Sequence, residues 1–496
     1  MIMLTRFRAV LFAATAALCF SAAPGQAQEW RGWNIHAADY PNGRGMDRFG
    51  ELVAQRTNNR INMLLLRNTS VGNFLDRCAI SLPCHRAGEV PVAFVLGIAA
   101  VIGFLYEGIN PAVAFQQMTS GMSIFSLLAI PFFIFAGEIM LHGGIARRLI
   151  AVASGCVGWM RGGLGMVNVS SSMLFGGISG SAVGTILIPA MKAKGYGVDY
   201  AVSMTVTASL AGILIPPSHN MILYSLAAGG GISVSALFIA GIVPGIMMCA
   251  ALAAAGYILA VRRGYPAEAW QGFGYLFRTA LDALPGLFTA VIILGGVLSG
   301  IFTVTESAAF GAIWAVLVTI LIYRNLSWAD FVIALKASVR TTAVVFLLVG
   351  TATAFAYLLA VYQLADLLTR GMLSISENPV IILLMINLCL LILGCVMDMA
   401  ALILITTPIF LPVVVAIGMD PVQFGMVMMM NLGLGLTTPP VGAVLFVGCA
   451  IGKIPIEAVM KTIWPFYGAI LVALMLTTYW PAVSLTLPRL LLGYGG

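Results

Sequence analysis

Charged side chains are scarce in this sequence. Asp, Glu, Lys and Arg make up 9% of its 496 residues, against roughly 25% in a soluble domain, while 60% are hydrophobic. That excludes a soluble fold and leaves an integral membrane protein with many spans. Histidine and cysteine are thin as well. His36, His85, His142 and His219 do not cluster, and none of the eight scattered cysteines stands at zinc-ligand spacing with a histidine. No metal centre is expected, and the cysteines read as small apolar residues. No Ser/His pair can be placed on facing helices, which argues against an intramembrane enzyme. No basic run is interleaved with aromatics. The net charge of +7 therefore reads as Lys and Arg held on the cytoplasmic side of a bilayer, with no nucleic-acid partner.

What the chain does have is one short motif, twice. Residues 212–218 read Gly-Ile-Leu-Ile-Pro-Pro-Ser, and residues 435–441 read Gly-Leu-Thr-Thr-Pro-Pro-Val. Each Pro-Pro pair stands in the middle of a long apolar stretch. Proline lacks an N–H and clashes with the preceding turn, so a helix must break there. In hydrocarbon such a break survives only where protein or a wet cavity satisfies the freed carbonyls. Two interrupted membrane helices at corresponding places in two halves of a chain point to a transporter binding site.

Taken in order, residues 1–27 have the parts of a secretory signal peptide: Arg6 and Arg8, an apolar run over 9–20 and a small-residue end at Ala27. A first membrane anchor is the alternative, but the run is short for a span. Residues 28–88 read as soluble material. A strand is expected over 29–36 and an amphipathic helix over 46–57, with Phe49, Leu52 and Val53 on one face and no continuing pattern from 62 onward. The piece is too short to bury a core unaided, so weak order is expected. The membrane part runs over 89–481: a first repeat at about 90–261, linking spans within 281–323, and a second repeat at about 341–480, before a tail over 482–496.

Charge gives the topology. The apolar stretch 167–191 has Arg147, Arg148 and Arg161 before it and Lys192 and Lys194 after it. A single crossing would put these on opposite sides, so a re-entrant hairpin is expected, with Gly176, Gly177, Gly180 and Gly184 forming its tip. Residues 200–227, broken at Pro216, then cross outward through an uncharged loop, and 236–261 return to Arg262 and Arg263. The second half repeats the pattern. Its second hairpin turns at 396–399, its broken helix covers 422–449, and the loop at Asp420 carries no base. That loop belongs outside, which makes the second half inverted. The charge count leaves open whether one segment between Arg324 and Cys395 crosses or lies flat. The expected fold is an all-α polytopic membrane protein with inverted repeats, two re-entrant hairpins and two broken helices.

In that fold, half-helix N-termini face an anionic group, and loose carbonyls and hydroxyls hold a small cation such as sodium. The anion candidates flank the two breaks: Pro216, Pro217, Ser218 and Asn220 at the first, Thr437, Thr438, Pro439 and Pro440 at the second. The cation candidates are Ser179, Gly180 and Ser181 at the first hairpin tip, Asp398 at the second, and Thr303, Thr305 and Glu306 in the link between spans. Asp398 stands out because an acid inside a membrane segment is costly and marks function by default; its structural alternative is a helix cap. The methionine-rich stretch 426–430 reads as core.

At these residues the chain resembles the large membrane subunit of TRAP (tripartite ATP-independent periplasmic) transporters. The resemblance rests on Ala-Ile-Pro-Phe-Phe-Ile-Phe-Ala-Gly-Glu at 129–138, Gly-Gly-Ile at 143–145 and Gly-Ile-Ser-Gly-Ser-Ala-Val at 177–183. It rests equally on Ile-Pro-Pro-Ser at 215–218, Gly-Ile-Phe-Thr-Val-Thr-Glu at 300–306 and Thr-Pro-Pro-Val-Gly at 438–442. It covers about 90–478. The resemblance implies an elevator-type carrier in the bacterial inner membrane, driven by sodium as coupling ion and without another cofactor. It implies organic-acid substrates such as C4-dicarboxylates or sialic acid, and two partners: a small four-helix membrane subunit and a periplasmic solute-binding protein. A carrier of the same superfamily that exchanges anions without a binding protein is the alternative. Two departures follow. Residues 30–36 and 50–57 resemble the start of a TRAP binding protein, cut off early. The first hairpin passes from Val183 straight to Gly184, lacking several residues and an acid like that in Val-Met-Asp-Met-Ala-Ala-Leu at 396–402, so impaired transport is expected.

Overall fold

The computed structural model of the protein describes residues 28–34, 61–67, 92–175, 180–440 and 442–495. The signal peptide over 1–27 and the helix expected over 46–57 lie outside the described residues. Two strands, β1 (Gln28–Asn34) and β2 (Ile61–Arg67), pair in parallel from Gln28 opposite Ile61 to Asn34 opposite Arg67. The first matches the expected strand. The second falls where no pattern was read, because its apolar residues 63–66 run continuously and an alternation test passes over them.

Helices follow. The first are α1 (Val92–Tyr106), α2 (Ala112–Met122), a 3-10 turn at Phe125–Leu128, α3 (Ala129–His142) and α4 (Ile145–Val157). Next come α5 (Gly163–Phe175) and α6 (Gly180–Ala193), then α7 (Val198–Ala208), the one-turn α8 (Ala211–Leu214), α9 (His219–Ala227) and α10 (Val234–Arg262). The middle holds α11 (Gly272–Leu298), α12 (Val304–Leu317) and α13 (Trp328–Val361). The last part holds α14 (Leu364–Ile375), α15 (Pro379–Gly394), α16 (Met399–Ala416), α17 (Pro421–Leu436), α18 (Ala443–Gly452), α19 (Ile456–Tyr479) and α20 (Pro481–Leu492). Among the described residues seven helices are long and apolar enough to cross a membrane, or eight with the bent pair Val198–Leu214 and His219–Ala227, which turns by 54°. This is an all-α polytopic membrane protein. The residues expected as a tail form α20, packed on α10 and α17.

Short polar residues decide where several helices begin. Asn378 and Asp420 accept from Val380 N at 2.9 Å and Val422 N at 2.7 Å, each with a proline at the first helical position, where the missing N–H leaves no bond unmade. The chain divides into two compact units. In one, α1 packs on the last part of α13. A Cβ at Gly97 or Gly103 would meet Thr351 or Leu358 within 3.0 Å, the close approach that small residues permit between membrane helices. Phe104 stacks on Tyr357 at 5.5 Å, and Tyr362 donates to Glu107 Oε1 at 2.6 Å.

In the other unit, α7 and α17 are the most enclosed elements. Every residue of 200–208 and of 422–436 is buried, including Met426, Met428, Met429 and Met430. A helix apolar all round has to be covered on all sides. The hairpins do the covering: α5 and α6 pack on α7, and α15 and α16 pack on α17. At one end an ion pair of the first half is tied to the second by Thr462. Arg263 reaches Asp199 at 2.7 Å and donates to Thr462 Oγ1 at 2.8 Å. Elsewhere, beyond the end of α20, Tyr494 donates to Asp420 Oδ1 at 3.3 Å; burial and this carboxylate push its phenol up to about 12.

Candidate functional site

The first Pro-Pro pair interrupts a continuous helical path. Its chain leaves α8 at an extended Ile215, bends through Pro216 and Pro217, and re-enters helix at His219 after an extended Ser218. Ser218 occupies the position before α9, where serine ordinarily caps, yet its side chain makes no cap. Its hydroxyl is 1% exposed and has no partner among the described residues. A buried hydroxyl left unpaired costs about 1–3 kcal/mol. Beside it lies a cavity of about 350 Å³. Its polar lining is Thr205, Ser209, Ser218, His219 and Asn220. Thr205 and Ser209 donate back to Ala201 O at 2.7 Å and Val206 O at 2.8 Å, so of the lining hydroxyls Ser218 is the one left to meet a ligand.

The second break is closed differently. Thr437 and Thr438 both donate to Leu434 O at 2.8 Å, and Tyr467 on α19 donates to the carbonyl of Thr437. Pro439 is half-buried and Pro440 exposed. The helix after this break, α18, supplies the far wall of the cavity at the first.

The two halves interlock through their hairpins. α6 of the first hairpin packs on α18, and α16 of the second hairpin packs on α9. Each hairpin therefore meets the helix that follows the other half's break. Asp398 stands at the turn of the second hairpin, its Oδ2 accepting from Ala400 N at 3.0 Å, and lies within electrostatic reach of His219. So the acid serves as a cap, and the helix it caps packs on α9. At the first tip, Ser179 lies outside the described residues, and Gly180 and Ser181 are described only as the first backbone turn of α6.

Thr303 and Glu306 form a capping box at the start of α12. Thr303 Oγ1 accepts from Glu306 N at 3.3 Å, and the Thr303 backbone N–H donates to Glu306 Oε2 at 2.8 Å. Thr305 is buried and donates to Phe125 O at 3.4 Å. The Thr305 bond ties the start of α12 to the 3-10 turn, and the body of α12 packs on α3 and α11. The structure thus brings Ser218 and Asn220 to one cavity, places Asp398 at the start of the helix that packs on α9, and gives Thr303, Thr305 and Glu306 partners of their own.

Sequence reasoning passed over three features. His219 looked isolated because its partner is far away in the chain. Asn168 on α5 donates to Thr205 on α7, and Asn431 on α17 donates to Asn387 Oδ1 on α15 at 2.7 Å: each hairpin is pinned to its half's buried helix by an amide. Asparagines inside apolar runs were the available signal.

Residues 81–483 match the family described as "Tripartite ATP-independent periplasmic transporter, DctM component". The chain is 41% identical over 411 residues to uncharacterized protein YgiK of Salmonella typhimurium, covering 81% of this chain and 94% of that one. It is 38% identical over 416 residues to the sialic acid TRAP transporter large permease protein SiaM of Vibrio cholerae, covering 82% and 96%. To the C4-dicarboxylate TRAP transporter large permease protein DctM of Pseudomonas aeruginosa it is 40% identical over 371 residues, covering 74% and 86%. Among solved structures, the Alcanivorax borkumensis YdaH transporter superposes with a TM-score of 0.53 at 15% identity, over 83% of this chain and 97% of that one, a likeness of fold alone.

Proposed function

Because this chain belongs to the DctM-component family of tripartite ATP-independent periplasmic transporters, we propose that it is a large membrane subunit importing organic acids together with sodium. Family members are transporters, not enzymes. The proposed location is a bacterial inner membrane, and the proposed partners are a small membrane subunit and a periplasmic solute-binding protein. C4-dicarboxylate and sialic acid, named for two relatives, set the range of acids to try first.

One observation carries this reading. The uncapped α9 and the α16 that Asp398 caps belong to different halves, yet pack on each other. Free N–H groups and the positive end of α9, with Ser218 and Asn220, suit a carboxylate. Asp398, with hydroxyls and carbonyls at the first hairpin tip 179–181, suits sodium, which wants oxygen ligands. Ion and anion neutralise one another in a region of low dielectric, so each raises affinity for the other, and that is coupling. Both halves then move together as an elevator, with the hairpins as gates. Reconstitution into liposomes with a small subunit and a binding protein tests the proposal. Carboxylate uptake should require an inward sodium gradient. Equal uptake in choline medium would refute sodium coupling, and full uptake without binding protein would favour an exchanger.

A further inference from the structure

The cavity beside the first break is lined mainly by apolar residues. Ser218, His219 and Asn220 stand where α9 begins; Thr205 and Ser209 also line it, with their hydroxyls already donated to Ala201 O and Val206 O, while the remaining walls include Ile188, Val206, Leu210, Val444, Val447 and Ile451. None of its lining residues is Lys or Arg, so among the described residues nothing at the far end balances a second negative charge. Two independent features mark the α9 end as an anion seat: the N-terminus of the nine-residue α9, without a side-chain cap, and the buried, unpartnered Ser218 hydroxyl beside it.

Resting on the transport reading above, we infer that the substrate is a monocarboxylate with a branched apolar body, seated with its carboxylate at Ser218 and its hydrocarbon against α7 and α18. A volume of about 350 Å³ lies at the small end of ligand sites and suits such a molecule. A dicarboxylate would strip water from its second charge against leucine, isoleucine and valine, with nothing to pair it. A sugar acid would leave a row of hydroxyls facing the same wall unpaired, the loss that makes apolar and polar sites selective.

The test is calorimetric titration of the full chain in nanodiscs, in sodium chloride, with 3-methylbutanoate, its neutral amide, succinate and N-acetylneuraminate. 3-Methylbutanoate should bind tightest, with succinate weaker by roughly a hundredfold. Ser218→Ala should weaken 3-methylbutanoate by about tenfold while leaving its amide unchanged. Val444→Thr, isosteric on a half-buried surface, should weaken the acid by a similar factor without changing the ligand-free melting temperature. Tighter binding of succinate or N-acetylneuraminate, or equal binding of the amide, overturns the inference and leaves the transport reading standing. Binding of none of the acids, in sodium chloride, overturns both.

Discussion

The two breaks solve the same backbone problem in opposite ways. At the second, three hydroxyls close it: Thr437 and Thr438 onto Leu434 O, and Tyr467 onto Thr437 O. At the first, packing closes it. Gly241 of α10 lies so near that a Cβ there would fall 2.1 Å from Leu214 O, and the one hydroxyl at hand, Ser218, is left over. The hairpins are unequal in the reverse sense. The second spans 38 residues (379–416) and carries Asp398, whereas the first spans 31 (163–193) and contains no Asp or Glu. The open break and the acidic hairpin come from different halves, and the helices that start there, α9 and α16, pack on each other. In the function proposed above the two halves share one site, to which one contributes the anion seat and the other the charge.

That division makes Asp398 the position of largest expected effect. Asp398→Asn keeps an acceptor for the Ala400 N–H, so α16 should remain capped and the protein should reach the membrane at normal levels. Sodium-driven uptake should fall by about a hundredfold or more, since the offset for the bound cation is gone. Normal uptake at equal expression would show that the acid is only a cap.

Next in size is the length difference between hairpins. The arms α5 and α6 are 13 and 14 residues long, against 16 and 18 for α15 and α16. At 1.5 Å per residue, three or four missing residues shorten an arm by about 5 Å. Hydrogen-bond distances tolerate a few tenths of an ångström, so arms shorter by that much would weaken the hold of any ligand shared between the two tips. Inserting about half a dozen residues, including an acid, between Val183 and Gly184 should raise uptake at least about tenfold, given the steep dependence of rate on positioning. An insertion that leaves the rate unchanged would mean that the shorter hairpin already closes.

These asymmetries were only partly legible in the sequence. Proline fixed the breaks because its effect is local: 212–218 and 435–441 announce interrupted helices in any context. Glycine was a poorer guide, since Gly184, expected at the first hairpin tip, lies inside α6. Asp398 was legible because an acid among apolar residues has few explanations. His219 was not, since its meaning depends on a hairpin turn from the other half. The role of Thr303 and Glu306 hung on a three-residue spacing that serves a helix cap as well as an ion site. Tyr467 was invisible, because a tyrosine in a membrane helix gives no sign of the carbonyl it will meet.

A smaller effect should come from Tyr467→Phe. It removes the donor to Thr437 O while keeping the ring buried between its neighbours. The loss should be about 1 kcal/mol of stability, read as a lower melting temperature in detergent. The sodium concentration for half-maximal uptake should hold, because the second break is closed by its own threonines as well. A shift of that concentration by tenfold would move the second break from scaffold to ion site.

The smallest expected effect is at Thr303. Its hydroxyl accepts the Glu306 N–H, and the capping box it forms lies at the start of α12, packed on α3 and α11. Thr303→Ala should cost roughly 1 kcal/mol or less, as the loss of an exposed helix cap does. Thr303→Ser keeps the oxygen and should restore the melting temperature. Neither change should alter the sodium dependence of uptake if the site is shared only between the first break and the second hairpin. A sodium requirement that rises with Thr303→Ala and returns with Thr303→Ser would put a third element into the site. The comparison of two breaks and two hairpins would then be incomplete, because an ion would also be held at the start of α12.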